Sequence, residues 1–426
     1  MDLPIAIALL VEMGIIPQDI IDEYVIMGEL SLDGSINAVN GILPASIGAR
    51  ERNLGIICPK DCASEALWAG EDSNVIGADN LLSLINHLLG NQFLERPIMN
   101  RDVYEHIYYP DLKDVYGQEI AKRALEITAA GGHNLLMIGP PGTGKSMLAQ
   151  RLPGILPDLT PKEILETNII NSIAGNIKNG KLSLKRPFLD PHHSCSMPAM
   201  VGGGSRPKPG QISLAHNGIL FLDELPEFSR QVLDSLRQPL ETGKVSIARA
   251  TANITYPAEF QLIGAMNPCR CGNLGENGIQ CKRAPICAQE YQNKISGPLL
   301  DRFDLFVDVP RIDIFYEKKK KCEDSETVKK RVLSARQIQQ ERYQNTRNRR
   351  MLNATADNEL IQKYMELDSE SEEIIKNIIT KHNLSLRSYN KILKVSRTIA
   401  DLGGSENIKS KHIMESLMYR KTKYLL

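Results

Sequence analysis

The residues best suited to chemistry form a glycine-rich loop between an apolar run and the start of a helix. They fit the pattern G-x-x-x-x-G-K-[ST], and they are Gly139, Pro140, Pro141, Gly142, Thr143, Gly144, Lys145 and Ser146. Glycines let backbone N–H groups approach phosphate oxygens, and the start of a helix adds positive potential. We expect Lys145 to contact the β- and γ-phosphates and the Ser146 hydroxyl to ligate Mg²⁺. The sequence therefore predicts a site for ATP with Mg²⁺.

A second motif follows an apolar run at residues 219–222, where Asp223 and Glu224 stand together. In open parallel sheets, ligands bind at the carboxyl ends of the strands, so these carboxylates are expected beside the phosphate loop. Asp223 is predicted to hold the Mg²⁺ shell, and Glu224 to polarise a water for attack on the γ-phosphate. A carboxylate that activates water indicates hydrolysis rather than binding alone.

Three more polar residues are candidates for sensing or stabilising the γ-phosphate. Asn267 follows a strand predicted over residues 261–266 and could orient the attacking water, although Asn-Pro pairs also start turns. Arg302 precedes the last predicted strand of the core, where it could reach a neighbouring subunit's γ-phosphate or form an ordinary surface ion pair. Arg387 begins a helix of the C-terminal third and could reach back over the nucleotide.

The segment before the phosphate loop offers a contact for the base. Val115 and Tyr116 precede a helix predicted over residues 119–130 and could contact the adenine, although packing explains them equally well. The pair His192 and His193 lies in a glycine- and proline-rich stretch, so loop packing or a partner contact is favoured over a metal site.

Half of the eight cysteines fall within 19 residues, at Cys269, Cys271, Cys281 and Cys287. Four thiolates suit Zn²⁺. Their spacings are not those of paired C-x₂₋₄-C knuckles, so zinc binding and free reduced thiols both remain open.

Composition and charge limit the classes of protein to which the chain can belong. The chain has 426 residues, 42% of them hydrophobic and 24% charged, which is typical of a globular protein. It has no apolar stretch of membrane-spanning length and no basic leader, so we expect no membrane association and a cytoplasmic location. The net charge is zero, but residues 311–426 carry 25 Lys and Arg against 16 Asp and Glu. That excess of nine positive charges indicates either a polyanionic partner or a solvated helical surface.

Hydrophobic periodicity predicts an α/β fold: a phosphate-loop core with a parallel sheet, preceded by a smaller α/β domain and followed by an all-α lid. We predict domain boundaries at 1–90 for the first domain, 91–112 for a linker, 113–312 for the core and 313–426 for the lid. The lid is predicted from helical periods at 325–350, 368–382, 388–402 and 409–424.

Several stretches together resemble one family. They are Ala130–Asn134, Pro191–His193, Val201–Gly204, Ile212–Gly218, Asp223–Phe228, Asn267–Cys269 and Ser296–Asp304. In these motifs the chain is similar, over essentially its whole length, to the YifB/ComM family of magnesium-chelatase-related AAA+ ATPases.

The resemblance implies a hexameric ring that binds ATP between subunits. It assigns Lys145 and Ser146 to Walker A, Asp223 and Glu224 to Walker B, and Asn267 to sensor 1. It also makes Arg302 the arginine finger and Arg387 the sensor 2 arginine. Members of the ComM type are helicases that promote branch migration of DNA in natural transformation, which implies a DNA partner, single-stranded or branched.

The first domain resembles the Lon-protease-like domain of this family, beginning after that domain's usual start. A Lon-type protease needs a serine paired with a lysine. The matching positions here are residues 2–4 and 41–46, and they supply no such pair, so we expect an interaction module without proteolytic activity. Two other functions remain open: a chelatase-type motor subunit that inserts metal into a tetrapyrrole, and a chaperone-like protein remodeller.

Overall fold

The computed structural model describes residues 2–70, 72–98, 108–204, 207–248, 253–272, 274, 281–312, 322–346, 350–382 and 385–420. The chain forms two compact units. The first contains residues 1–107, 159–185 and 203–209, and the second contains residues 108–158, 186–202 and 210–426.

The helices, in chain order, are α1 (Asp2–Glu12), α2 (Gln18–Ile21), α3 (Ile42–Glu51), α4 (Lys60–Ala66), α5 (Leu81–Leu88), α6 (Glu119–Gly131), α7 (Lys145–Ile155), α8 (Pro161–Ala174), α9 (Met197–Val201), α10 (Gln211–Leu214), α11 (Arg230–Ser235), α12 (Arg237–Thr242), α13 (Ile286–Gln292), α14 (Gly297–Leu300), α15 (Ser325–Tyr343), α16 (Asn358–Tyr364), α17 (Ser369–His382), α18 (Leu386–Leu402) and α19 (Ser410–Met418). The strands are β1 (Tyr24–Ile26), β2 (Glu29–Leu30), β3 (Ile36–Asn37), β4 (Gly55–Pro59), β5 (Val75–Ala78), β6 (Leu135–Ile138), β7 (Phe188–Leu189), β8 (Gly202–Gly203), β9 (Lys208–Pro209), β10 (Ile219–Leu222), β11 (Lys244–Ala248), β12 (Asn253–Pro257), β13 (Gln261–Met266) and β14 (Leu305–Asp308).

The first unit is built on a three-stranded parallel sheet in the order β1-β4-β5. Its central strand β4 is buried along its whole length, as expected for a strand covered on both faces. A single strand over residues 24–30 would fit the sequence pattern, but the chain breaks it at Gly28 into β1 and β2. An added Cβ at Gly28 would lie 2.7 Å from Leu3 Cδ2, so this position packs directly against α1.

Helix α8 belongs to this first unit, although it follows the phosphate-loop helix α7 in the chain. It is well defined locally, because Thr160 and Glu163 form a capping box at its start and Gly175 ends it with a φ of 81°. The buried carboxylate of Glu65 ties it to the domain: its Oε1 accepts hydrogen bonds from Ser172 Oγ (2.5 Å) and from the backbone N–H of Leu43 (3.1 Å). The first unit is therefore assembled from distant parts of the sequence.

The second unit is built on a five-stranded sheet in the order β14-β6-β13-β10-β7, with every neighbouring pair parallel. All residues of β6, β10 and β13 are buried, which fits the unbroken apolar runs of the sequence. Because β6 and β10 flank β13, the residues that follow these three strands meet at one edge of the sheet. This confirms the predicted fold class of a parallel α/β core with a helical C-terminal region.

The C-terminal helices share their core with the sheet. Val328 and Val332 of α15 and Ile399 of α18 join the apolar cluster that also contains Leu125 of α6. A second cluster, centred on Tyr343, is formed within the helical region itself. The predicted boundaries at 90, 112 and 312 remain predictions, and the two compact units divide the chain along different lines.

Two features bear on the partners of the chain: the basic runs of its C-terminal third and the apolar character of its helices. The basic runs Lys318–Lys321 and Arg347–Arg350 fall largely outside the described residues, as does the middle of the predicted linker. Among the helices of the described ranges, none combines the length and apolar character needed to cross a bilayer.

Candidate functional site

The phosphate loop connects β6 to α7 and adopts backbone conformations that need glycine. Gly142 and Gly144 have φ angles of 77° and 90°, in the left-handed region where side chains are strained. An added Cβ at Gly139 would lie 2.1 Å from the carbonyl oxygen of Val309. The loop is therefore both curved and closely packed against the chain that leaves β14.

Lys145 is the first residue of α7 and is 8% exposed. Its Nζ donates to the loop carbonyls of Gly139 (2.7 Å) and Pro140 (2.8 Å) and lies 3.2 Å from Asn267 Oδ1. Burial lowers the pKa of Lys145 to about 8, against the opposing pull of Asp223 and Glu224. A buried ammonium at the mouth of a glycine loop is suited to binding phosphate oxygens.

The two predicted Mg²⁺ ligands lie side by side. Ser146 Oγ is 2.5 Å from Asp223 Oδ2, although the two residues are 77 positions apart in the chain. Adjacent ligands of an octahedral Mg²⁺ are about 3.0 Å apart, given Mg–O distances near 2.1 Å. Both oxygens can therefore contact one ion after a small separation, and the donor set fits Mg²⁺.

The second carboxylate of the motif, Glu224, has a backbone φ of 50°, which is unusual for a residue other than glycine. Its backbone N–H donates to Asp223 Oδ1 at 2.9 Å. His193 Nδ1 lies 3.5 Å from Glu224 Oε2, and the ring of His193 packs against that of His192 with centroids 4.0 Å apart. This contact of His193 was missed from the sequence, because it arises only when β7 and β10 pair.

Asp190, which follows β7, adds a third carboxylate that sequence reasoning did not single out. Burial and the nearby charge of Asp223 raise its pKa. A cation bound at Asp223 would favour the ionised form of Asp190.

The two candidate arginines form ion pairs with different carboxylates. Arg302 Nη2 forms a 3.0 Å ion pair with Glu241 Oε2, and its side chain is 22% exposed. Arg387, near the start of α18, has its Nη1 3.6 Å from Asp301 Oδ2, and more than half of its side chain is exposed. The lid arginine is thus positioned beside the turn that carries Arg302.

A buried network holds the Arg302 turn. Asn134 donates from its side-chain amide to the carbonyl oxygen of Arg302 (2.9 Å) and from its backbone N–H to Asp304 Oδ2 (3.0 Å). His133 Nδ1 lies 3.6 Å from the same carboxylate. Burial opposes ionisation of Asp304, but His133 and Lys391 outweigh it and hold the pKa of Asp304 well below its usual range.

Lys391 of α18 completes this network from the helical region. Its Nζ donates to the backbone carbonyls of Asp301 and Phe303, the latter at 2.7 Å, and lies 3.8 Å from Asp304 Oδ1. Its side chain is 13% exposed, and burial lowers its pKa to about 8. One lysine therefore connects α18 to the residues on both sides of Arg302.

The predicted base contacts differ in their surroundings. Val115 is 6% exposed and belongs to the main apolar cluster, whereas Tyr116 is 37% exposed. Gln118, which the sequence did not single out, donates to the carbonyl oxygen of Pro310 (2.6 Å) and lies 3.4 Å from that of Thr143. Gln118 therefore connects this segment to the phosphate loop, while adenine contacts by Val115 and Tyr116 remain a prediction.

The four clustered cysteines converge. The sulfur atoms of Cys269, Cys271, Cys281 and Cys287 all lie within 4.8 Å of one another, and those of Cys269 and Cys271 are 3.3 Å apart. Sulfur atoms around a tetrahedral Zn²⁺ are about 3.8 Å apart, from Zn–S bonds of about 2.3 Å. The sulfur set can therefore hold a metal ion after shifts of about 1 Å or less.

Comparison with known protein families identifies relatives of this chain. "Magnesium chelatase, subunit ChlI" matches residues 111–316, "Magnesium chelatase, subunit ChlI C-terminal" matches 322–420, and "Subunit ChlI of Mg-chelatase" matches 1–62. The chain is 44% identical to "Uncharacterized protein YifB" of Escherichia coli over 427 residues, which cover all of this chain and 82% of that protein. It is 43% identical to "Competence protein ComM" of Haemophilus influenzae, over all of this chain and 83% of that one.

The chain belongs to the YifB/ComM family. This confirms the resemblance found in the sequence. A more distant relative, "Magnesium-chelatase subunit ChlI" of Euglena gracilis, is 26% identical over 40% of this chain and 56% of its own length. The family is one of magnesium-chelatase-type AAA+ proteins, and it implies ATP and Mg²⁺ as ligands.

Proposed function

We propose that this YifB/ComM family member is an ATP-hydrolysing motor that works as a ring, most simply a hexamer, and acts on DNA. The observation that carries the proposal is the meeting of Ser146 Oγ and Asp223 Oδ2 at 2.5 Å, beside the buried Lys145. Lys145 would bind the β- and γ-phosphates, and Ser146 and Asp223 would ligate Mg²⁺. The ion would supply charge stabilisation for the transferring phosphoryl group.

Glu224 is proposed to accept a proton from the attacking water, and Asn267 to orient that water. The 3.2 Å contact between Asn267 Oδ1 and Lys145 Nζ supports this, because it puts the amide next to the group that would hold the γ-phosphate. In AAA+ proteins hydrolysis needs these groups on one subunit, and an arginine from the next one provides further stabilisation.

Arg302 is proposed to act on the neighbouring subunit's nucleotide as the arginine finger, and Arg387 to act beside it as the sensor 2 arginine that reaches over the nucleotide from the helical region. The contacts of Asp301 support this pairing of roles, because Asp301 precedes Arg302 in the chain and its Oδ2 lies 3.6 Å from Arg387 Nη1. An arginine supplied in this way stabilises the transition-state charge and is worth ~10³–10⁵ in rate in characterised phosphoryl-transfer enzymes. The ion pairs with Glu241 and Asp301 would be exchanged for phosphate contacts on ring assembly.

DNA is the proposed substrate of the motor. Its support is the excess of nine positive charges in residues 311–426, together with a relative whose name is that of a competence protein. Some of this charge is used internally, as in the 2.5 Å ion pair between Arg342 and Asp401, so the remaining basic side chains would carry the contacts. Branch migration or unwinding of single-stranded or branched DNA is the activity that we expect.

ATPase assays with forked, single-stranded and no DNA test this function. We expect hydrolysis that DNA stimulates severalfold, that falls steeply with salt, and that Lys145→Ala abolishes, while Lys60→Ala on the exposed surface of α4 changes nothing. Stimulation by unfolded protein instead of DNA would favour a remodeller. Stimulation only by a dedicated partner subunit would favour a chelatase-type motor. An assembled ring that releases no phosphate under any of these conditions would overturn the proposal.

We also propose that Cys269, Cys271, Cys281 and Cys287 bind one Zn²⁺. The sulfur separations of at most 4.8 Å support a tetrahedral Cys₄ site, one of the ligand sets that structural zinc uses. Metal analysis of protein purified without chelators should find one equivalent of zinc per chain. Zinc-free protein that does not take up Zn²⁺ on titration would contradict this assignment.

A further inference from the structure

The cysteine cluster lies where one strand ends and one helix begins. Cys269 and Cys271 form a tight turn after β13, closed by a 2.9 Å hydrogen bond from the backbone N–H of Gly272 to the carbonyl oxygen of Cys269. Cys287 is the second residue of α13, and Cys281 lies in the segment before it. A metal ion bound to all four would therefore cross-link the end of β13 to the start of α13.

The C-terminal end of α13 lies beside Asn267 and Pro268, the two residues that follow β13. Tyr291, which is 4% exposed, lies near the backbone N–H of Asn267, which partly offsets the rise that burial causes in the pKa of Tyr291. Gln292 Nε2 donates to the carbonyl oxygen of Pro268 at 2.9 Å, also in a buried position. Asn267 in turn lies 3.2 Å from Lys145 Nζ. The position of α13 thus influences Asn267 and, through it, the phosphate-binding lysine.

The cysteine turn also contacts the phosphate loop directly. Gly272 has a φ of 79°, and an added Cβ there would lie 2.5 Å from Pro141 Cδ. Pro141 belongs to the loop that would enclose the phosphates. The turn therefore packs against the loop at a point where no larger residue fits.

We infer that metal binding by the four cysteines braces the nucleotide site, so that Zn²⁺ raises the affinity of the chain for ATP. This inference rests on the zinc site and the ATP site proposed above. A bound ion restricts the conformations of the turn and of α13, so that less conformational entropy is lost when the nucleotide binds. Without the ion, the contact of Gly272 with Pro141 and the position of Asn267 lose that restraint.

The test measures two properties of the wild type and of single variants: the zinc content, and the affinity for a fluorescent non-hydrolysable ATP analogue with Mg²⁺. Cys271→Ala removes an exposed ligand, so little packing is lost. Cys62→Ala is the matched control, because Cys62 lies in the first unit and outside the cluster. We expect Cys271→Ala to lose its zinc and to bind the analogue at least tenfold more weakly, and Cys62→Ala to match the wild type in both measurements.

Gly272→Ala tests the packing of the cysteine turn against the phosphate loop separately from metal binding. It keeps all four thiols but introduces a Cβ toward Pro141, so we expect zinc to be retained and affinity to fall at least fivefold. Wild-type affinity in zinc-free, folded Cys271→Ala would overturn the inference and leave the zinc site standing. A wild-type chain that binds the analogue tightly but never binds zinc would refute the zinc site and the inference together. A wild-type chain that binds zinc but no nucleotide would refute the ATP site instead.

Hydrogen exchange on the wild-type chain keeps the test independent of variants that do not fold. The peptide covering residues 139–146 should exchange faster after zinc is removed by a chelator and slow again when Zn²⁺ is restored. Unchanged exchange in that peptide, with zinc loss verified, contradicts the inference.

Discussion

Replacing Lys391 by methionine tests whether α18 controls the arginine that is proposed to act across the subunit interface. The substitution keeps a long apolar side chain and removes the ammonium that donates to the carbonyls of Asp301 and Phe303. Both of these residues adjoin Arg302 in the chain. The turn would keep its contacts with Asn134 but lose its connection to the helix.

The expected magnitudes follow from the environment of the lysine. Two hydrogen bonds from a charged donor contribute about 1.5–3 kcal/mol each. Against this, the lowered pKa of Lys391, about 8 instead of 10.5, indicates a cost of roughly 3 kcal/mol for burying the ammonium. The net loss of stability should therefore be small, about 0–3 kcal/mol. A misplacement of a catalytic group by about 1 Å can cost about 10²-fold in rate, so the larger effect should be on kcat.

Lys394→Met is the matched control for this experiment. Lys394 lies one turn further along α18, and burial lowers its pKa as well, but its Nζ donates to the carbonyl oxygen of Ala354 (3.0 Å) and not to the Arg302 turn. Steady-state ATPase, ATP affinity, melting temperature and oligomer size would be measured for both variants. We expect kcat to fall about 10²-fold in Lys391→Met and less than about threefold in Lys394→Met, with ATP affinity nearly unchanged in both.

Equal kcat values in the two variants, at equal oligomer size, would refute the idea that Lys391 positions Arg302. A large loss of ATP affinity in Lys391→Met would also contradict it, because the phosphate-binding residues do not depend on this lysine for their contacts.

Three further outcomes are expected. Glu224→Gln should bind ATP about as tightly as the wild type in equilibrium binding yet hydrolyse it at least 10²-fold more slowly, because the amide cannot accept a proton; equal turnover would argue against Glu224 as the base. A 1:1 mixture of Glu224→Gln and Arg302→Ala subunits should recover ATPase activity that neither has alone, because about a quarter of randomly formed interfaces keep both wild-type groups; no recovery on mixing would indicate that Arg302 acts within its own subunit. The lowered pKa of Asp304 means that its ionised form stabilises the fold above about pH 4, and that this contribution is lost as the pH falls. Asp304→Asn should therefore lower the urea midpoint most at neutral pH, and by progressively less toward pH 3; a difference that stays constant over this range would contradict the assignment.

The parts of the fold and site that the sequence predicted well depend on local patterns. The strand, loop and helix around residues 134–152 and the apolar run before Asp223 each carry their signal within a few neighbouring residues. Their meeting could be anticipated because parallel strands bring their carboxyl ends to one edge of a sheet. The 2.5 Å contact between Ser146 and Asp223 agrees with that rule.

The parts that the sequence did not predict depend on tertiary packing. The spacing of Cys281 and Cys287 left the convergence of the four cysteines open, because the fold before α13, and not a knuckle motif, brings these two to Cys269. His193 likewise carries no local sign of its contact with Glu224, and Lys391 looks like any other lysine on an amphipathic helix. Periodicity gives the face of an element but not the identity of its partner.

The composition of the first unit has a practical consequence for dissecting the protein. Helix α8 is encoded between parts of the nucleotide-binding unit, yet its Ser172 hydroxyl is satisfied by the buried carboxylate of Glu65. A shortened gene that starts at the phosphate-loop region would produce a chain whose α8 has lost that acceptor and the apolar surface of α3. Such a fragment should be prone to aggregation, so separating the two halves requires α8 to be excised or redesigned as well.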